Sequence, residues 1–383
     1  MVRREKTLGY IMSFILLFFS VFNFESYAIH YSSIYFILLP LSVYLVVKSG
    51  NLIIQLNHFI LIGFWFLVVL STIFSDSTSI QTNLITFFLF YISYFIITSR
   101  DYSNRTIKFL ILSYVFISLL VSMNIILFYT LGVEHSWGRY SLVFFDTKRD
   151  PNYVLAYVIP AFYFILYYIL FIAKKNRMIE VLALITITIS IFITGSRAPL
   201  IICGIISLVL FLKKVSKLSF LKKIMIILIT CVVVLTLLIV IKSFINDWIF
   251  NRIFNFENYF DDIRIQIWIG VLKSEKAISL FGHGFGAANN VANNLIGYNT
   301  HNVYLDILYD FGILGLCLLS FILKDFIIYK FKLEYFLLAF SFFSPLFFIN
   351  GFNTMSFWLP LTFTHIIYNY LYKNKMNSAI YEK

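Results

Sequence analysis

Apolar residues in this chain neither alternate nor keep to one helical stripe. They run in blocks separated by short polar or charged breaks. Blocks of about 17 to 23 apolar residues are long enough to cross roughly 30 Å of hydrocarbon as helices. Twelve are legible, starting near Leu8, Tyr31, His58, Gln81, Phe109, Asn152, Met178, Ala198, Ile224, Asn302, Leu333 and Phe357. A strand-built barrel would need short alternating segments instead. The pattern therefore predicts an all-α polytopic membrane protein with about 12 transmembrane helices, forming one domain over residues 1–383. The longest stretch that cannot sit in a bilayer is 243–300, which ends at His301-Asn302, where the tenth apolar block begins.

Composition agrees with the pattern. Of 383 residues, 61% are hydrophobic, 20% aromatic and 13% charged, with a mean hydropathy of +0.89. That is more apolar surface than a soluble core of this size could bury. The formal net charge of +12 could be taken as a sign of nucleic acid, but the basic residues gather in short breaks next to apolar blocks. Arg3, Arg4, Lys6, Lys48, the 100–108 loop, Lys174-Lys175-Arg177, the 213–223 loop, Lys324, Lys330, Lys332 and the 373–383 tail all fall on one side if the N-terminus is inside. Lys and Arg in short loops resist translocation. Both termini are thus expected in the cytoplasm and 243–300 outside, with lipid headgroups rather than nucleic acid beside the basic loops.

Arg3, Arg4 and Lys6, an apolar run and Ser26-Tyr27-Ala28 also fit a cleavable leader; eleven further blocks favour a retained anchor. Cys203, Cys231 and Cys317 all lie in apolar blocks without metal-ligand spacing, and read as small core residues. No internal repeat or linker divides the chain, and no cofactor is implied.

Charges that break the positive-inside pattern are the informative ones. The outer side would hold Arg139, Lys148, Arg149, Arg197, Lys242, Arg252, Arg264, Lys273 and Lys276. A guanidinium stays charged and meets phosphate through a planar fork, so arginines kept outside point to an anionic ligand. Snorkelling, or pairing with Asp146, Asp150, Asp261 or Asp262, is the other explanation. Arg197 is the sharpest case. It lies in Thr194-Gly195-Ser196-Arg197-Ala198-Pro199, a break between two strongly apolar blocks, where a lipid phosphate is the obvious partner. Asp150-Pro151-Asn152 has helix-start chemistry, with Arg139 and Arg149 upstream of it on the same loop.

Within the long polar stretch, Ser243 to Phe256 mixes Phe244, Trp248, Phe250 and Phe254 with Asn246, Asp247 and Arg252, as an interfacial helix would. A second amphipathic helix is expected from Asp261 to about Lys276, with Arg264 and Trp268 four residues apart on one face. Gly282-His283-Gly284-Phe285-Gly286 predicts a tight turn that continues into the polar run Asn289 to Asn294. No strand precedes these glycines, so they are not a nucleotide fingerprint. Thr300 suits a cap for a helix starting at Asn302. His301 in its first turn would feel the positive end of the dipole, which keeps a neutral ring available as proton acceptor. Asp306 and Asp310 share a face of that helix and could pair with the outer arginines or orient sugars; Gly312 and Gly315 read as close-packing positions between helices. Trp137, Trp248, Tyr298 and Tyr304 could stack on sugars or anchor at the interface.

Taken in order, Arg139 with Asp150-Pro151-Asn152, Thr194-Gly195-Ser196-Arg197, Arg264 with Trp268, Gly282 to Gly286, and His301-Asn302-x-Tyr304-Leu305 through Gly312-x-x-Gly315 resemble the O-antigen ligase and O-antigen polymerase superfamily over roughly residues 130–320. The resemblance implies a GT-C-like, metal-independent glycosyltransferase of the bacterial inner membrane. Its donor would be a polyprenyl-pyrophosphate-linked oligosaccharide. The arginines corresponding to Arg197 and Arg264, with Arg139, would hold the pyrophosphate, and His301 would be the base. Arg149, Asn152, Trp268, Asn302, Tyr304 and Asp306 would support them, and a chain-length regulator would be a partner. A polymerase of repeat units for O-antigen or capsule is the favoured branch; a ligase transferring the glycan to lipid A core is the alternative. A lipid-linked oligosaccharide flippase is the competing reading from another class, and it would carry its charges within the spans with short loops on both sides.

Overall fold

The computed structural model describes residues 54–73, 80–99, 102–134, 138–144, 147–148, 150–173, 177–216, 218–254, 263–274, 279–328, 333–349 and 357–368. The two blocks expected near Leu8 and Tyr31, with the leader-like segment, lie outside them, as do Arg149, Trp137, Asp146, Asp261, Asp262 and Lys276. The described elements are mostly helical: α1 (Leu56–Ile73), α2 (Ile80–Thr98), α3 (Asn104–Thr130), α4 (Pro151–Tyr167) running into a π-turn (Tyr168–Ile172), α5 (Met178–Ile193), α6 (Arg197–Val215), α7 (Phe220–Phe244), α8 (Asp247–Phe254), α9 (Ile263–Leu272), α10 (Ala287–Ile296), α11 (Val303–Ile328), α12 (Leu333–Phe343) with a 3₁₀ turn (Ser344–Phe347), and α13 over 357–368. A two-residue antiparallel ladder pairs β1 (Val143–Phe144) with β2 (Thr147–Lys148).

Each expected block within the described residues contains a helix starting within a few residues of the predicted position. Among the described residues, five helical stretches are long and apolar enough to cross a membrane: Leu56–Ile73, Asn104–Thr130, Pro151–Ile172, Arg197–Val215 and Val303–Lys324. Two of the remaining helices, α5 and α12, end early for local reasons. The turn after α5 passes through Gly195 in the left-handed region (φ 63), and the last turn of α12 tightens to 3₁₀ at Ser344-Pro345, because proline has no N–H to continue the ladder.

On α3, Tyr114, Ile117, Val121 and Ile125 are buried while Leu112, Phe116, Met123 and Leu127 are each more than half exposed. A helix apolar on both faces, with one face uncovered, belongs in lipid rather than water. Cys203 is buried as expected, but Cys317 lies on the exposed side of α11, where an apolar surround suits a thiol as well as a core does.

The chain divides into two compact units, 1–111 with 259–383, and 112–258. In the unit formed by 112–258, α4 packs on α5 and α6, and small hydroxyls join the helices: Ser118 Oγ donates to the Tyr157 carbonyl (3.2 Å) and Ser190 Oγ to Ser122 Oγ (3.0 Å). Asp150 caps α4, accepting from the Asn152 N–H at 2.8 Å, with Pro151 in the first turn. Asn124 of α3 holds the ladder through paired 3.0 Å bonds with the Val143 backbone.

In the other unit, α11 packs on α1, α10 and α12, and α9 packs on α10. Gly312 breaks α11 with φ 71 and ψ −168. This corrects the reading of Gly312 as a simple packing position. The peptide groups freed by the break are taken by the loop before α10. Ile313 and Leu314 N–H donate to the Ser279 and Leu280 carbonyls (3.1 and 3.2 Å), while His283 and Gly284 N–H donate to the Tyr309 and Asp310 carbonyls (3.1 and 2.9 Å). Irregular backbone at membrane depth is tolerated where its polar groups are paired in this way. Gly282 makes the approach possible, because a Cβ there would lie 2.1 Å from the Asp310 carbonyl oxygen. Gly315 does fit the close-packing role, with a Cβ 2.6 Å from that of Phe311.

Candidate functional site

The functional residues expected from the sequence fall into two groups, one in each unit. Arg139, Asn152 and Arg197 belong to 112–258. Arg264, Trp268, His301, Asn302, Tyr304 and Asp306 belong to the unit that contains 259–383.

The first group is built on the turn between α5 and α6. Thr194 Oγ1 accepts from the Ser196 N–H (3.4 Å), and Gly195 reverses the chain. Arg139 is buried and donates from Nη2 to Ser196 Oγ (2.6 Å) and from Nε to the Thr194 carbonyl (3.4 Å). Arg197 opens α6, and its Nε donates to the Arg252 carbonyl at 2.6 Å. Arg252, at the end of α8, stacks its guanidinium 5.3 Å from the centre of the Trp248 ring. Gly138 (φ 64) lies flat against that ring, where a Cβ would come within 2.8 Å. Three guanidinium-bearing residues thus converge on one turn and the first turn of one helix, an arrangement suited to an anion. Burial pushes the phenol of neighbouring Tyr140 above its ordinary pKa, reinforced by Glu134, which accepts its O–H at 3.3 Å. Asn152 is buried within the start of α4.

The interfacial helix expected over Ser243 to Phe256 is α8. Asn246 caps it through the Trp248 N–H (3.0 Å), and Ile249 and Ile253 are buried while Trp248 and Phe254 are exposed. The second expected helix is the shorter α9, with Arg264 half-buried one turn before Trp268.

The second group centres on residues 300–306. The polar run after the glycines is not part of a turn but the helix α10, and two neighbours explain why. Asp310 supplies the cap that the sequence of α10 lacks, accepting from the Gly286 N–H (2.7 Å) and the Ala288 N–H (2.8 Å), as favours a carboxyl group at a helix N-terminus. Ala288 and Ala292 are buried against Ile267, Val271, Leu305 and Tyr309. Gly282, Gly284 and Gly286 all have positive φ, as the expected turn requires. Asp310 is therefore engaged by α10 instead of by an outer arginine.

Asn302, not Thr300, caps α11: its Oδ1 accepts from the Tyr304 and Leu305 N–H groups, each at 3.1 Å. His301 accordingly stands just before the first turn, partly exposed, with φ 48. It is the sole non-glycine residue with positive φ among the described residues. Such a conformation is uncommon for residues with a side chain and costs on the order of 1 kcal/mol. Thr300 is fully buried and bonded on every side. Its N–H donates to Asn289 Oδ1 (3.1 Å), its hydroxyl faces Asp306 Oδ1 and Asn289 Oδ1 (3.2 Å for the latter), and its carbonyl accepts from Trp268 Nε1 (2.8 Å). Tyr304 points its hydroxyl away, donating to the Phe343 carbonyl (2.8 Å), and its ring lies 4.3 Å from that of Phe347.

Sequence reasoning assigned no site role to Asn289, Arg252 or Ser71. Ser71 of α1 donates to the Asp310 carbonyl (2.7 Å) and accepts from the Gly284 N–H (3.0 Å). Only Arg252 carried a signal, as a cation misplaced relative to the positive-inside rule.

Residues 182–320 match the family model described as O-antigen ligase. No curated protein matches the chain. The match takes in Arg197, Arg252, Arg264, Trp268 and His301, and begins after Arg139 and Asn152, so it is narrower than the span over which the motifs were read. Over residues 182–320 the resemblance to the O-antigen ligase and polymerase superfamily is borne out, since that stretch is similar to the family described as O-antigen ligase.

Proposed function

We propose that this protein is a polysaccharide polymerase of the bacterial inner membrane that joins polyprenyl-pyrophosphate-linked oligosaccharide repeat units at the outer face, with both termini in the cytoplasm. The reading rests on the family match over 182–320, which contains both cationic motifs around Arg197 and Arg264 and the histidine of the third. In this scheme His301 takes the proton from the acceptor hydroxyl. The freed oxygen attacks the anomeric carbon with inversion, a glycosidic bond forms, and the bond to the pyrophosphate oxygen breaks. Arg197 and Arg264, with Arg139, neutralise the departing diphosphate. Pyrophosphate is already a good leaving group, so charge neutralisation and acceptor placement account for most of the acceleration. A base adds a factor on the order of 10² to 10⁴. A membrane chain-length regulator is the partner expected of a polymerase.

The family's description as a ligase favours a second reading, transfer of a finished glycan to lipid A core. Purified protein supplied with a labelled polyprenyl-pyrophosphate repeat unit separates the two: multimers are expected of the polymerase, product only on lipid A core of the ligase. Movement of the lipid without bond formation would return the flippase and sink both. His301→Ala and Arg264→Ala are expected to reduce transfer at least about a hundredfold while still inserting. Full-length glycan from both variants would remove the catalytic assignment.

A further inference from the structure

We infer that Thr300, together with Asn289, Asp306 and Trp268, is a positioning device that fixes the imidazole of His301; this rests on the reading of His301 as the base. A residue with a side chain persists at φ 48 only when its surroundings over-determine it. Here they do so from three helices. Trp268 Nε1, on α9, holds the carbonyl of the peptide that links Thr300 to His301, at 2.8 Å. The orientation of that peptide plane sets φ at His301. Asn289, on α10, takes the Thr300 N–H (3.1 Å) and lies beside its hydroxyl (3.2 Å), while Asp306, on α11, accepts from the same hydroxyl. On the far side, Asn302 pins the chain to the start of α11.

The centre of the clamp is screened from water: Thr300 is fully buried and Asp306 nearly so, while Asn289 and Trp268 are partly exposed. Solvent therefore does not compete for the bond between Thr300 and Asp306, and a partner lost there is not replaced. The clamp is itself anchored, because Asp310 ties the first turn of α10, and so Asn289, to α11. Thr300, Asn289 and Asp306 need not touch substrate in this role. They act by where they leave the His301 ring.

Thr300→Val keeps the shape and removes the hydroxyl; Thr300→Ser keeps the hydroxyl. In the transfer assay with labelled lipid-linked repeat unit, Thr300→Val is expected to lower kcat about 10- to 100-fold with KM within about twofold, because misplacing a reacting group by about 1 Å costs on that order. Thr300→Ser is expected to stay within about threefold of the parent. Asp306→Leu, which is close in size but has no acceptor for the Thr300 hydroxyl, is expected to follow Thr300→Val and serves in its place if the valine variant fails to insert. A merely structural role would lower the amount of folded protein and leave kcat per folded molecule unchanged. If His301→Ala is inactive while folded Thr300→Val and Asp306→Leu both turn over at the parental kcat, this inference is overturned and the base assignment stands. If His301→Ala itself keeps the parental kcat, the assignment of the base falls first.

Discussion

At the residue scale, the backbone at His301 departs most from ordinary chain behaviour, and its neighbours show how that is sustained. Asn302 supplies the acceptor for two amides that the first turn of α11 would otherwise leave open. Asn302→Ala is expected to cost about 1 kcal/mol, the usual value of a lost N-cap, read as a lower melting temperature in detergent. Its activity should fall further than Thr300→Ser, since it also loosens the far side of His301. The sequence made the histidine conspicuous by placing it at the end of the long polar stretch. It could not show which neighbour would cap, because Thr300 and Asn302 are both good cap formers and the choice was made by Asn289 and Asp306 claiming the threonine.

At the element scale, sequence patterning served the apolar helices well and the polar segments less well. The starts of α1 through α7 lie close to those expected, since a block of apolar residues between charges leaves little freedom. By contrast, α10 carries four asparagines, poor helix formers, and exists because Asp310 caps it and α9 and α11 bury its alanines. The break in α11 was equally hidden. Nothing local separates Gly312, which needs a left-handed backbone, from Gly315, which needs only space. Gly312→Ala would bring a Cβ within 2.3 Å of the Leu280 carbonyl oxygen, and Gly282→Ala within 2.1 Å of that of Asp310, both at positive φ. Each is expected to destabilise by at least about 2 kcal/mol. Gly63→Ala, which meets nothing within 4 Å, is expected to be neutral or slightly stabilising in the same thermal-shift measurement.

A second element-scale feature lies at the start of α1, the opposite end of that helix from Ser71. His58 Nε2 donates to Thr98 Oγ1 (2.8 Å) and its Nδ1 accepts from the Gln55 N–H (3.0 Å). His365 Nε2 donates to Gln55 Oε1 (2.7 Å) while its Nδ1 accepts from Tyr94 (2.5 Å). The rings stack 5.7 Å apart. Each ring uses one nitrogen as donor and one as acceptor, the complement of a neutral imidazole. Tyr94→Phe is expected to cost about 1–3 kcal/mol by leaving His365 Nδ1 buried without its donor, measured by thermal shift with transfer activity per folded molecule unchanged.

At the scale of the whole molecule, the side of the membrane that 243–300 faces decides where transfer takes place. With 243–300 outside, a cysteine at the half-exposed Tyr298, introduced after Cys203, Cys231 and Cys317 are replaced, is expected to react with a membrane-impermeant maleimide in intact spheroplasts. A cysteine at Lys213 should react only after the membrane is opened. The reverse pattern would place the long polar stretch in the cytoplasm and remove the proposed outward reaction. The apolar blocks made the helices legible because lipid asks the same length and hydropathy of every span; the side that 243–300 faces is inferred from the placement of Lys and Arg alone. The division of the chain into two compact units was not legible, since no composition change marks residue 112 or 258.

The join between residues 279–284 and the gap in α11 has a genetic consequence. Gly282 and Gly312 each leave room for the other segment's main chain, so they behave as two halves of one lock. Second-site revertants of Gly312→Ala should therefore cluster between Ser279 and Gly284, some thirty positions upstream, and be scarce among the immediate neighbours of Gly312 on its own helix.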